Sequence, residues 1–447
     1  MAPPLAFLDV VNARASDTLA TAYHRSLAVR WAATVLALPV LVPLLLARGL
    51  DLAQVALVMA TFGAVAAVLE VPTGGLADAF GRVRVTLVAD ASALLAHLAF
   101  MLAPGLTGLL AAAALGGAAR ALGSGALEAW YVDARRARDL HGDLQGPLAR
   151  AGMIQSLVLA GGTLVGGALP LAAPLLGIAA PGEVGALQLA FAASATLWLV
   201  SLAVTSRLPE ARASTREARQ AARRAARPDR VARVAVGAIA RDPALVPLLA
   251  IGAALGAVVM SFEAFLPAEL RLRWGPEGVS MVLGVVMTGA FGATAAGQAL
   301  AARLAAAAAR VPLARVAQGA TTIAVGAVLV TLDLGGPAAS LVTVVLAAMG
   351  AWLVYLGLGF ANPVLAAAFH DRVASGERAT MLSVHSLAAY LGGVAATLAL
   401  GATAEASGLA AVWFAVAAMG VGVALMAFAW RAGRVAGQAQ RVAHEAR

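Results

Sequence analysis

Uncharged stretches about as long as a bilayer-crossing helix recur along this chain, and they constrain its fold more than any other feature. Residues 243–262 hold no charge, and residues 85–119 hold only Asp90 across two apolar runs split at Pro104-Gly105. A helix rises about 1.5 Å per residue, so roughly 20 residues cross the ~30 Å hydrocarbon core of a membrane. A soluble core has no use for so many such segments. Leu, Val and Phe recur on all sides of them, which argues against an alanine-rich soluble bundle with polar outer faces. Apolar residues make up 61% of the chain and charged residues 12%, about half the charged share of an ordinary soluble domain.

Charges and Pro/Gly breaks divide the sequence into twelve predicted spans: 27–47, 53–74, 85–103, 107–131, 150–174, 183–204, 243–265, 279–301, 311–332, 338–362, 379–401 and 407–430. The expected fold class is an all-α polytopic membrane protein with twelve transmembrane helices in two six-helix bundles. The longest connection, 205–242, carries ten Arg and separates six spans from six. The expected organisation is therefore a segment 1–26, a bundle 27–204, a central loop 205–242, a second bundle 243–430 and a tail 431–447. Ala, Arg, Glu and Gln predict a helix over 212–227, in a loop that lies near anionic headgroups or meets a partner. No cleavable leader is read in residues 1–25, which carry Asp9 and Asp17, and the first span is expected to be retained.

All 32 basic residues are Arg. With the N-terminus in the cytoplasm, 28 of them fall in cytoplasmic segments or at inner span ends, counting Arg30 and Arg315 just inside span edges. Three, Arg48, Arg271 and Arg273, fall at outer ends, and Arg120 lies within span four. This asymmetry predicts a multi-pass protein of a cell membrane, such as a bacterial inner membrane, with both termini cytoplasmic. It also accounts for the net charge of +9 without nucleic acid. The absence of Cys and Lys removes thiolate chemistry and the phosphate-binding lysine loop, and no His-Glu-x-x-His occurs. The sequence gives no reason to expect an enzyme, a cofactor or a metal site. Transport would then draw on an ion or solute gradient.

The strongest local pattern is Glu70-Val-Pro-Thr-Gly-Gly-Leu-Ala-Asp78-Ala-Phe-Gly81-Arg82-Val-Arg84, at the inner turn between spans two and three. Gly74 and Gly75 allow close helix approach, and Gly81 permits a tight turn. Asp78 can accept from a helix N-terminus or pair with an Arg, and Arg82 and Arg84 can hold the loop at the headgroups. This segment resembles motif A of the major facilitator superfamily, G-x-L-a-D-r-x-G-r-[kr]-[kr]. Gly74, Leu76, Ala77, Asp78, Gly81, Arg82 and Arg84 match in place, while Ala79 and Val83 depart from it. The Glu-Val-Pro-Thr lead-in, Ser124-Gly-Ala-Leu-Glu128-Ala-Trp130-Tyr-Val-Asp133 and Glu377-Arg378-Ala379-Thr380-Met-Leu-Ser383 look like a bacterial permease branch rich in drug exporters.

The resemblance implies a monomeric secondary transporter of a small solute in a lipid bilayer, coupled to protons, with Gly74, Asp78, Gly81, Arg82 and Arg84 as a gating motif. It points to efflux of drug-like or apolar compounds by alternating access. The alternative is an uptake permease or facilitator for a small metabolite, and a non-transporting sensor is a third reading. Two departures bear on the choice. The turn Gly297-Gln-Ala-Leu-Ala-Ala-Arg303 lacks an Asp, and span five has no antiporter-type Gly-Pro pair.

Ionisable groups are costly in hydrocarbon and face a cavity or each other. Those within the predicted spans are Glu70, Asp90, His97, Arg120, Glu128, Glu263 and His385, with Glu269 just beyond span seven. Arg120 is expected to pair with Asp90 or Glu70, or to meet an anionic part of the solute. Glu70 and Asp90 either brace the inner gate or carry a proton as their solvation changes. Glu128 and Asp133 belong to the same network, and Glu263 is placed near the outer end of span seven. A hydrogen-bonded neutral form is expected for His97 and His385. Trp31, Met59, Phe62, Met153, Trp198 and Phe265 are the candidate wall residues.

Overall fold

The computed structural model describes residues 5–138, 144–176, 182–210, 228–307, 312–332, 339–374 and 377–445. The first half contains α1 (Leu5–Leu36), α2 (Leu38–Ala47), α3 (Leu52–Phe80), α4 (Arg82–Leu102), α5 (Leu106–Gly123), α6 (Ala126–Arg136), α7 (Gln145–Ala168) and α8 (Gly182–Thr205). Next come α9 (Pro228–Arg241), α10 (Leu245–Trp274), α11 (Val279–Ala307), α12 (Pro312–Thr331), α13 (Ala339–His370), α14 (Arg378–Ser407) and α15 (Leu409–Glu445). Twelve stretches of these are long and apolar enough to cross a membrane. Span one joins α1 to α2 across a break at Ala37, where Pro39 enters the first turn of α2. Span four joins α5 to α6 across Ser124 and Gly125, the latter at φ 70°.

Two bundles of helices form the molecule. In the first, α3, α4 and α5 pack together and α1 packs on α7 and α8. Val40, Leu44, Leu109 and Phe191 lie in its core. In the second, α12 packs on α13 and α15, and α10 packs on α14. Phe262, Phe265 and Trp413 are fully buried there. The outer faces keep exposed side chains such as Leu157, Val165, Leu391 and Phe428, as helices surrounded by lipid require.

The halves meet along α3 against α14 and α7 against α11. Small residues make that approach possible. A Cβ on Gly167 would collide with the Ser280 carbonyl, and one on Gly401 would sit 2.5 Å from Ala56 Cβ. Each half has one end rich in Arg, carrying Arg82, Arg135, Arg207, Arg241 and Arg372. The seams are tied at the opposite end. There Glu405 accepts a hydrogen bond from Leu52 N at 2.7 Å, and Arg271 of α10 pairs with Glu183 of α8. Among the described residues, the ion pairs at the Arg-rich end stay within one half: Arg82–Asp133 at 2.9 Å, Arg372–Asp242 at 2.5 Å and Arg241–Glu377 at 2.7 Å.

Several predicted boundaries move. Span one begins at Thr18 and not at 27, because α1 runs unbroken from Leu5. Span seven runs to Trp274 and not 265, and span ten to His370 and not 362. The helix predicted over 212–227 lies outside the described residues. The helix seen in the central connection is α9, which sets Ala235, Ala238 and Ile239 against the second bundle and leaves Arg230, Arg233 and Val236 outward.

Candidate functional site

The turn between α3 and α4 is one residue, Gly81, at φ 104°. α4 then starts with free backbone N–H groups, which attract a carboxylate. Glu210, just past α8, supplies it: Oε1 accepts from Val83 N at 3.3 Å and Oε2 from Arg84 N at 3.1 Å. A Cβ on Gly81 would lie 2.8 Å from the Glu210 carboxyl carbon. Trp130 Nε1 donates to the Pro209 carbonyl at 2.8 Å, holding the same segment against α6. Arg82 bonds Asp133 of α6, and Arg84 is exposed. Gly74 and Asp78 sit in the last turns of α3, and the Asp78 side chain lies outside the described residues. Sequence reasoning missed Glu210, because Leu208-Pro209-Glu210 carries no local signal of a docking role.

Inside the first bundle lies a cavity of about 520 Å³. It runs from Leu148 and Glu128, near the Arg-rich helix ends, to Phe62, Gly116 and His97 about half-way along the bundle. Every described residue lining it falls between Tyr23 and Trp198, in the first half of the chain. Glu70, Arg120 and Glu128 face it together, with Arg30 in its wall. Of the aromatic candidates Trp31, Phe62 and Trp198 line it. Met59 instead packs against both bundle cores, Phe265 is fully buried in the second bundle, and Met153 is 57% exposed outside the cavity lining.

The expected Arg120–Asp90 pair does not form. Asp90 is completely buried and pairs with Arg30 at 2.5 Å, and Ser201 and Thr205 hydroxyls donate to its Oδ2 at 2.8 and 3.2 Å. Arg30 also lies 6.0 Å from the Trp198 ring centroid, and a Cβ on Gly123 would touch its guanidinium. Placing the first span at 27 had counted Arg30 as an edge residue. The unbroken helix from Leu5 puts it well inside the span, which takes it out of the inner-side Arg count. Nor does Arg120 pair with Glu70. Glu70 accepts from Ser124 Oγ at 3.2 Å, and Arg120 has no ion pair among the described residues.

Glu263 is not near the helix end, because α10 continues for three more turns to Trp274. It sits in the second half within electrostatic reach of Arg120 and Tyr355. Glu269 lies inside α10, and bonds Arg273 at 2.7 Å and Trp413 Nε1 at 2.9 Å. Arg273 also donates to the Val330, Leu332 and Thr343 carbonyls, so this cluster braces helices away from the cavity. His97 bonds the Ala93 carbonyl at 2.7 Å, and His385 is packed against Gly252 and Phe369. Among the described residues no group of acidic or His side chains could hold a metal.

A twelve-helix membrane fold in two bundles, with a polar cavity reaching mid-span, defines a secondary transporter of a small solute and not an enzyme. The chain belongs to the Major Facilitator Superfamily, whose sequence model matches residues 26–358. No curated protein sequence matches it. Among solved structures it is similar to the nucleoside transporter NupG, with TM-score 0.72 and 12% identity over 92% of this chain and 98% of that one. It is also similar to the peptide transporter POT in complex with sulfate, with TM-score 0.70 and 14% identity over 92% and 94%. A structure described for substrate recognition in proton dependent oligopeptide transporters gives TM-score 0.66 and 13% identity over 93% and 98%.

Proposed function

We propose that this protein carries a small polar metabolite across a bacterial inner membrane by alternating access, coupled to protons, with the Arg-rich end and both termini in the cytoplasm. The observation that carries this reading is the cavity. It is lined by Glu70, Arg120 and Glu128, it reaches mid-span from the Arg-rich end, and the halves are tied together at the far end. An apolar drug would leave those charges dry and unanswered, at considerable cost. The polar-metabolite reading therefore displaces the efflux of apolar compounds suggested by the sequence motifs. The likeness of the fold to nucleoside and peptide transporters agrees with it.

Coupling falls to the carboxylates that change solvation as the halves rock. Glu70 and Glu128 are wet in this state, and Glu263 lies in the other half within electrostatic reach of Arg120. Asp90 is held behind Arg30, outside the cavity lining. The segment Gly74, Asp78, Gly81, Arg82 and Arg84 acts as the inner gate. In proteoliposomes, exchange of labelled uridine, dialanine and tetraphenylphosphonium tests the solute class, and an imposed pH gradient tests coupling. One charge falling through 100 mV releases about 2.3 kcal/mol, enough for roughly 50-fold accumulation of a neutral solute. Glu263→Gln, outside the cavity lining, is expected to keep exchange and lose uphill movement, and Asp78→Asn to slow both at equal expression. Transport of tetraphenylphosphonium alone would restore the drug-efflux reading, and a gradient that drives nothing would remove proton coupling.

A further inference from the structure

We infer that the solute is a small dipolar molecule, with a carboxylate or similar anion seated on Arg120 and a cationic amine facing Glu70 and Glu128. This rests on the carrier reading above and gives it a chemical class. The argument begins with which charges are already answered. Four charged side chains reach the cavity: Arg30, Arg120, Glu70 and Glu128. Arg30 is neutralised by Asp90. The other three form no ion pair among the described residues, and Glu70 has only the Ser124 hydroxyl.

Arg120 lies near the middle of span four, which runs from Leu106 to Arg136. Its side chain cannot snorkel to either headgroup layer from there. The cavity is what keeps it hydrated when empty, and an anion is what can answer it when the halves close and water leaves. Glu263 of the second half lies within electrostatic reach of Arg120 but forms no ion pair with it and lies outside the cavity lining.

The charges are also ordered in space. Arg120 stands one helical turn farther from the Arg-rich mouth than Ser124, which holds Glu70, and Glu128 lies beyond the break at Ser124 and Gly125, on α6. One turn corresponds to about 6 Å along the axis. The cation is thus deep and the acids are near the mouth. A cationic solute would leave Arg120 unanswered, an anionic one would leave both acids unanswered, and a neutral apolar one would leave all three. A dipolar solute lying along the axis answers both ends. Trp31 and Phe62, also in the lining, offer apolar surface to the spacer between its charges.

The test uses the purified full-length protein in nanodiscs. The probes are linear ω-amino acids from glycine to 6-aminohexanoate plus dialanine, each compared with its amide and its N-acetyl form. Tryptophan fluorescence and thermal stabilisation report binding. At least one zwitterion should bind about tenfold or more tightly than both of its singly charged relatives. Arg120→Gln should erase its advantage over the amide, and Arg120→Lys should retain most of it. Glu70→Gln or Glu128→Gln should erase the advantage over the N-acetyl form. The inference is overturned if singly charged or neutral apolar probes bind equally well. It is overturned too if no zwitterion shifts either signal at about 10 mM, or if a folded Arg120→Gln protein keeps the full preference. Zwitterion binding without counterflow in proteoliposomes would instead refute the carrier reading and leave the solute class standing. Counterflow of only singly charged or neutral solutes would refute the solute class and leave the carrier.

Discussion

Arg30 and Asp90 illustrate how a buried pair behaves when one member is removed. Asp90 has no exposed surface, and the Arg30 side chain is 14% exposed. Removing one partner strands the other charge, a loss typically of about 3–5 kcal/mol, whereas replacing both with apolar residues of similar volume is often neutral. Asp90→Ala is therefore expected to lower the melting temperature of the purified protein sharply. Arg30→Met combined with Asp90→Leu should recover most of the loss. A double variant as unstable as the single one would show that Ser201 and Thr205, and not the charge, set the stability of this site. The pair was only half legible in the sequence. Asp90 stands out as a lone carboxylate in an apolar run, but its partner depends on where the first span starts. Gly81 was fully legible, since only a residue tolerant of φ 104° can join α3 to α4 in one step.

Helices place these residues, and glycines decide how near the helices come. The seam between α7 and α11 is lined by Gly167 and Gly284, with Thr163 and Thr288 hydroxyls 3.1 Å apart beside them. Gly167→Val would place an isopropyl group where the Ser280 carbonyl lies. The expected result is a protein that inserts normally but cannot close at the end tied by Arg271 and Glu183. A cysteine placed near that seam should then react faster with a membrane-impermeant thiol reagent, and solute exchange should fall by an order of magnitude or more, about 1.4 kcal/mol or greater in closure free energy. Unchanged exchange would mean that the seam does not move. Twelve spans could be counted from hydropathy alone, because the bilayer demands a nearly fixed apolar length. Their ends could not. α10 overshoots its apolar run by nine residues, from 265 to Trp274, because Glu269 and Arg273 satisfy one another and Trp413. A polar pair of that kind looks like a loop in a hydropathy profile.

The whole molecule turns on orientation, which the Arg distribution proposes and labelling can check. The chain has no Cys, so single cysteines report without background. Ser206→Cys, at the Arg-rich end of α8, should resist impermeant maleimide applied to intact cells, and Glu277→Cys, between α10 and α11, should react. The reverse pattern would invert the topology and turn the cavity outward. At this scale the two-bundle plan was legible from the central Arg-rich connection, whereas the cavity was not. Nearly every helix is apolar all round, so periodicity could not say which faces turn inward, and Met59, Met153 and Phe265 fall outside the lining for that reason.

The described lining of the cavity, from Tyr23 to Trp198, belongs to one half alone. On the carrier reading, the groups that read the solute sit in the first half, and the second half supplies the surface it rocks against. A chimera that borrows a foreign second half should keep its taste in solutes while its pace, and the share of coupling carried by Glu263, change.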